Sequence, residues 1–373
     1  MPNKKSHLDM LPDQKSHIYF TVYILLLLGI SVIIRPYPVA TAWFGFFIAA
    51  YAAIANDSIQ TIGTFISSNH RQPWWYLWIY LGGIFFVTVL YSWLYYGGDV
   101  SHERLIAKGF EEAPTTFAYL QILAPIILLI LTHLKTPVST TFLLLGSFAA
   151  SSNAIGKVLF KSLSGYFLSF FIALIFFTVV ARISQRYFTG TASKGWVATQ
   201  WLVSGLLWSV WLQQDLANIA VFLPRSLSPA YFSVFTLTIV VGLGILLYLR
   251  GGLIQQVVTE KSQVDDPRFV TLIDGVYACI LYFFKLQSKI PMSTTWVFLG
   301  LLAGRELGML IARSSPQKPM TIGYLILKDV SKALFGLIVS IWVATSVNPN
   351  IELDEIYNSL SKQSYALYEK LSG

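Results

Sequence analysis

KTPVSTTFLLLG at residues 135–146 returns almost intact as KIPMSTTWVFLG at residues 289–300, 154 positions later. Each copy sets a lysine, a proline and a Ser-Thr-Thr triplet against an apolar run. Proline disfavours helix at the residue before it and suits the first turn of a new one. Ser139 or Thr140, and correspondingly Ser293 or Thr294, can then cap a helix that begins there. The free N–H groups and positive dipole end at such a start attract anions. Written once, the pattern describes an ordinary capped helix. Written twice, it marks corresponding places in two halves of one chain. The hydroxyls of Ser139, Thr140, Thr141, Ser293, Thr294 and Thr295, with backbone donors, would suit a tetrahedral oxyanion.

The surroundings of both copies are those of a membrane protein. Of 373 residues, 55% are hydrophobic, 15% aromatic and only 12% charged, with a mean hydropathy of +0.61. Soluble chains carry about 25% charged residues. The apolar content is gathered into runs such as YFTVYILLLLGISVII (19–34), YLWIYLGGIFFVTVLYSWLYY (76–96) and YLQILAPIILLILTHL (119–134). YFLSFFIALIFFTVVA (166–181), YFSVFTLTIVVGLGILLYL (231–249) and residues 333–345 with their flanks continue the series. About 17–25 apolar residues span the hydrocarbon of a bilayer as helix. A membrane β-barrel would instead alternate polarity over segments of about 10 residues. The expected fold is therefore all-α and multi-pass, with the first run a retained helix rather than a cleaved signal. The net charge of +8 follows Lys and Arg scattered near span ends, which interfacial anchoring explains without nucleic acid. Cys279 is the single cysteine, so an intramolecular disulfide is excluded.

The similarity extends upstream of the triplets. IANDSIQTIGTF (54–65) aligns with LQQDLANIAVFL (212–223), which pairs Asp57 with Asp215 and Gln60 with Asn218. YYGGDVSHERL (95–105) aligns with LRGGLIQQVVT (249–259). The expected organisation is an N-terminal segment with an extra transmembrane helix (1–37), repeat 1 (38–190), repeat 2 (196–346) and a polar tail (347–373). The tail has the charge and apolar alternation of a short amphipathic or interfacial helix. An aspartate at bilayer depth costs several kcal/mol unless paired, hydrated or cation-bound. Around Asp57 and Asp215, the neighbours Asn56, Gln60, Gln214 and Asn218 therefore offer oxygen ligands for a hard monovalent cation, or donors for an anion. Asn-Asp-Ser also caps helices well, so this motif can alternatively start a half-helix after a break. Short discontinuous helices at matching positions of two halves point to a transporter site near the midplane.

Other features carry less. Lys135 and Lys289 either support a bound anion or snorkel to the headgroups. GKVLFKSLSG (156–165) echoes LKDVSKALFG (327–336), with lysines four apart on one helical face, an arrangement that reads as an interfacial or lipid anchor. Arg305 and Glu306 read as a buried pair or a gating element. There is no P-loop, no nucleophile elbow and no convincing metal-ligand cluster, so enzyme chemistry is not expected.

These elements, in this order, resemble the PiT-type inorganic phosphate transporters. That family repeats a Gly-Ala-Asn-Asp-x-x-Asn signature followed by Pro-[Ile/Val]-Ser-Thr-Thr-His. Here Ala55-Asn56-Asp57-Ser58-Ile59-Gln60 and Gln213-Gln214-Asp215-Leu216-Ala217-Asn218 stand for the first. Pro137-Val138-Ser139-Thr140-Thr141 and Pro291-Met292-Ser293-Thr294-Thr295 stand for the second. The resemblance covers roughly 40–346. It implies an inverted-repeat transporter with re-entrant or broken half-helices, sodium or proton coupling at the aspartates, and the anion at the Ser-Thr-Thr ends. It further implies phosphate symport at the cell membrane, no cofactor beyond the coupling ion, and a homodimer as the assembly to test. Phe142 and Trp296 replace the family histidine, and the family glutamate after the Asn-Asp motif has no counterpart in 76–87 or 231–241. Sulfate, bicarbonate or another small anion are the alternative substrates. A non-transporting membrane sensor or assembly protein is the alternative role.

Overall fold

In a membrane, every backbone polar group needs an internal partner, and the helix supplies it within one segment. The computed structural model describes residues 13–106, 110, 112–250, 266–287, 292–313 and 318–372, and its regular structure there is helical. The first half contains α1 (Asp13–Ile34), α2 (Pro38–Ala53), α3 (Ile59–Ser68), α4 (Trp74–Tyr95), α5 (Tyr119–His133), α6 (Thr140–Leu143) and α7 (Ser152–Tyr187). The second contains α8 (Lys194–Ala220), α9 (Pro229–Tyr248), α10 (Pro267–Gln287), α11 (Thr294–Ile311) and α12 (Pro319–Val347), and α13 (Leu353–Ser372) ends the chain. Among the described residues, eight helical stretches are long and apolar enough to cross a bilayer. The protein is an all-α multi-pass membrane protein.

Two helical stretches depart from the simple apolar rod. α2 and α3 form one continuous stretch through a π-helical turn at Ile54–Ser58. Asn56-Asp57-Ser58 therefore does not begin a half-helix, contrary to the capping alternative. The motif sits in a π-turn, the kind of local widening that recurs at functional sites. α8 falls outside the eight because polar residues lower its hydropathy, and of these Gln200, Ser204, Gln214, Asp215 and Asn218 are buried. Its polarity is turned into the bundle rather than toward lipid.

The segments after the two Ser-Thr-Thr triplets differ in length. After Ser139 come the single turn of α6, a 3₁₀ turn at Leu145–Phe148, and then α7. After Ser293 comes the 18-residue α11. Each segment packs on the last long helix of the other half, α6 against α12 and α11 against α7. The α7–α11 contact is built on Gly300, Gly304 and Gly308, spaced by four on one helical face. A Cβ added to Gly304 would lie 2.1 Å from the Phe170 carbonyl oxygen, and one on Gly300 2.2 Å from that of Tyr166. Small residues let membrane helices approach until their backbones touch, where dispersion and interhelical hydrogen bonds hold them. Ser169 donates to the Val297 carbonyl across this seam at 2.8 Å.

Of the paired lysines expected to anchor the chain, Lys161 and Lys332 bond carbonyls within the protein. Lys161, buried, donates to the Phe284 carbonyl at 3.2 Å, and Lys332 to the Lys135 carbonyl at 2.8 Å. Each satisfies a carbonyl in the stretch that leads into the opposite half's Ser-Thr-Thr break. Arg305 and Glu306 form a 2.6 Å ion pair, with Arg305 buried. The tail is helical, and α13 packs on the start of α7 through buried Ile356 while Tyr357, Tyr365 and Tyr368 stay exposed.

Gly304→Ala should lower stability in detergent by about 1–3 kcal/mol, the usual cost of overpacking, because carbonyl backbone cannot rotate away. Gly323→Ala, where nothing lies within 4 Å, should not. Thermal unfolding followed by tryptophan fluorescence compares the two.

Candidate functional site

The π-turn brings Asp57 against the start of α6. Its Oδ2 accepts from the Thr140 hydroxyl at 2.5 Å and from the Thr140 backbone N–H at 3.3 Å. In the second half, Asp215 Oδ2 accepts from the Thr294 hydroxyl at 2.6 Å, at the start of α11. Both carboxylates are buried, as are Thr140, Thr141, Thr294 and Thr295. The repeat thus places one aspartate–threonine pair in each half. Asn218 links the two: its Nδ2 reaches Asp215 Oδ1 at 2.9 Å, Thr140 Oγ1 at 2.9 Å and Thr141 Oγ1 at 3.0 Å. Thr141 in turn donates to the Met292 carbonyl at 3.1 Å, a second bond between the halves.

The serines do what their position predicts. Ser139 accepts from the Phe142 N–H and Ser293 from the Trp296 N–H, each at 3.3 Å, so both cap their helices. Ser293 N–H also donates to Ser162 at 2.8 Å. The triplet hydroxyls are therefore largely committed to the protein's own carboxylates, carbonyls and caps. Thr295 Oγ1 is the exception, buried without a hydrogen-bond partner.

Three further buried oxygens share that condition: Asp57 Oδ1, Gln60 Oε1 and Asn218 Oδ1. Gln60 lies one turn beyond Asp57, Asn218 touches the threonine that binds Asp57, and the Thr295 hydroxyl acts on Asp57 directly. Buried polar atoms are ordinarily paired, so four oxygens in this cluster without a hydrogen bond of good geometry, Thr295 Oγ1 facing Asp57 among them, require an explanation. The remaining amides point elsewhere. Asn56 donates to Thr132 at 3.2 Å and accepts from Gln60 at 3.0 Å. Gln214 donates to the Leu281 carbonyl at 2.7 Å. Lys135 follows α5 in left-handed backbone, φ 54°, with its carbonyl turned to Lys332. Lys289 lies outside the described residues.

Two charged residues join this interior that the repeat pattern does not select. Arg104 is buried, reaches Gln214 Oε1 at 3.5 Å and acts electrostatically on Asp215. The loop before it makes this placement: Gly98 has φ 97°, and a Cβ there would meet Ser226 Oγ at 2.4 Å. Asp99 then binds the Ser101 and Glu103 N–H groups at 2.8 and 2.6 Å. Asp274 on α10 accepts from Thr64 at 2.8 Å and Ser204 at 2.5 Å. It meets the criterion that singles out Asp57 and Asp215, an acid within an apolar helix, but has no acidic counterpart in YLQILAPIILLILTHL.

A cavity of about 330 Å³ opens beside the cluster, between α6, the start of α7 and α12. It reaches Thr141 and Phe142 as well as Asn153 and Lys157. Trp296, the counterpart of Phe142, is buried against Tyr166, ring centroids 6.0 Å apart.

No protein-family model matches the chain, and no curated protein sequence does. Among solved structures it is similar to one described as "The sodium-dependent phosphate transporter", at 16% identity and a TM-score of 0.50, covering 83% of this chain and 97% of that one. At this identity the likeness is one of fold.

If Arg104 compensates Asp215, Arg104→Gln should destabilise the protein, and adding Asp215→Asn should recover part of the loss. A coupling of about 1 kcal/mol or more is expected for contacting charged groups. A double-mutant cycle of chemical denaturation in detergent measures it.

Proposed function

We propose that the chain is a secondary transporter of a small oxyanion, with phosphate first and sulfate as the alternative, coupled to sodium or protons at the cell membrane. One observation carries this reading. The donors at both Ser-Thr-Thr helix starts are held by carboxylates, and buried oxygens without a hydrogen-bond partner lie on Asp57, Gln60, Asn218 and Thr295 of the same cluster.

The carboxylates stand in for substrate. Asp57 takes from Thr140 the N–H and O–H donors that an oxyanion would use, and Asp215 takes the Thr294 hydroxyl. Two buried carboxylates repel a third anion, so the oxyanion cannot enter while both keep full charge. Asp57 Oδ1, Gln60 Oε1, Asn218 Oδ1 and Thr295 Oγ1 offer the all-oxygen environment that suits a hard monovalent cation. A cation there, or a proton on Asp57, would lower the charge and release Thr140 to the anion. Each ligand then raises the affinity for the other by the same factor, which is the thermodynamic form of coupling. The cavity at Thr141 leaves open space beside the first half's helix start, while the close α7–α11 seam leaves none along the second. Alternating access would exchange these two conditions.

A second reading has an observation of its own. Five of the six triplet hydroxyls already have partners within the protein, as a static scaffold would also require. A non-transporting sensor or assembly protein would bind the anion without moving it.

Uptake of labelled phosphate and sulfate into proteoliposomes, with sodium and proton gradients varied separately, decides between them. Gradient-driven uptake is expected. Asp57→Asn should remove its cation dependence, and Thr140→Val should lower uptake at least tenfold while Thr140→Ser retains most of it. Binding without uptake, indifferent to Asp57→Asn, would support the scaffold; uptake of neither anion under either gradient would refute phosphate and sulfate as substrates.

A further inference from the structure

The cavity beside the cluster is the wrong lining for a bare, strongly hydrated anion. Its walls are Phe142, Leu145, Ile155, Val158, Ile341 and Ala344, none of which has a side-chain donor. One wall also carries Ser340, whose hydroxyl is spent on the Gly336 carbonyl at 2.7 Å, and the other polar side chains are Thr141, Ser151, Asn153 and Lys157. Thr141 stands at the cluster end, buried, and bonded to Asn218 and the Met292 carbonyl. Ser151, Asn153 and half-buried Lys157 stand at the outer end, where Ser151 caps α7. A phosphate ion passing between them would shed water against walls that return no hydrogen bonds, a cost of several kcal/mol. Moreover, the volume of about 330 Å³ falls at the small end of the range for organic ligands, roughly 300–1,000 Å³. Ligand sites of that class are mostly apolar with a few placed polar groups, as this one is.

Resting on the transporter reading above, we infer that the substrate is a monosubstituted tetrahedral oxyanion, a phosphonate or sulfonate headgroup carrying a short apolar chain. Lys157 draws the anion to the cavity, the headgroup advances to Thr141 and the paired helix starts, and the apolar substituent remains against Phe142, Leu145 and Ala344. Phe142 and Trp296 have the same logic. They follow the two triplets and belong to one apolar cluster with Ile155 and Ala344, so the space beside the hydroxyls is apolar from both halves.

Competition in proteoliposomes containing the full chain tests this. Uptake of labelled propylphosphonate is measured directly, and unlabelled phosphate, methylphosphonate, propylphosphonate, propanesulfonate and neutral propanamide are the competitors. Apparent affinity should rise by up to about fourfold for each added methylene between methyl and propyl, the worth of a buried methylene. Propanesulfonate against propylphosphonate identifies the headgroup, and competition by either supports the inference. Ala344→Leu, which narrows the cavity, should weaken propylphosphonate at least tenfold more than methylphosphonate. Thermal unfolding of that variant verifies that it is folded, and Ala149→Leu serves as a second narrowing of the same cavity. Bare phosphate binding more tightly than both phosphonates would overturn the inference while leaving the transporter reading intact. Propanamide competing as well as propylphosphonate would also overturn it, since the cavity would then be an apolar crevice indifferent to charge. Uptake of no oxyanion, bare or substituted, would remove the transporter reading itself.

Discussion

Two carboxylates buried inside a bundle of apolar helices set the terms for the rest of this structure. Neither can stay there without donors, and each finds a threonine at the first turn of a helix: Thr140 for Asp57 and Thr294 for Asp215. A helix start can offer such donors only where the chain is broken, so each half interrupts its helices before Ser-Thr-Thr. The breaks in turn expose carbonyls, and Lys161 and Lys332 answer those from across the interface between halves. Asn218 closes the arrangement by touching both pairs.

The halves share this plan but carry it out unequally. α11 runs for 18 residues along α7 on a seam of glycines, whereas α6 is a single turn followed by 3₁₀ geometry. Backbone contact along the glycine seam leaves no room for a path, and the short α6 leaves the cavity at Thr141. Charge is unequal as well. Arg104 acts on Asp215, while among the described residues no such cation acts on Asp57, which keeps Oδ1 without a hydrogen-bond partner. One aspartate is thus served by a cation that belongs to the chain, and the other is the site of the proposed cation that does not.

Such an arrangement joins stability to exchange. Removing donors from a buried carboxylate without compensation costs more than the hydrogen bond itself returns. On the proposed reading, the Asp57–Thr140 contact would open only when positive charge satisfies the carboxylate and an anion the hydroxyl and N–H. That mutual requirement would couple the two without a long-range relay.

Much of this was legible in the sequence. Continuous apolar runs and low charge determine an all-α membrane protein, because bilayer and helix each constrain residues one segment at a time. Proline followed by Ser-Thr-Thr determines where helices restart, and Ser139 and Ser293 cap them as the local chemistry requires. The recurrence of aspartate and triplet in the same order singles out Asp57, Asp215 and the hydroxyls as corresponding groups. Tertiary structure decided whom each of them meets. That Asp57 takes the donors of Thr140, that Arg104 comes to Asp215 through a glycine-bearing loop, and that Gly304 touches the backbone of Phe170 all depend on which distant helices pack together. Hydropathy and periodicity report the medium around a residue. They do not report its partner, because a buried hydroxyl looks the same in sequence whether it serves a substrate or a carboxylate of its own chain.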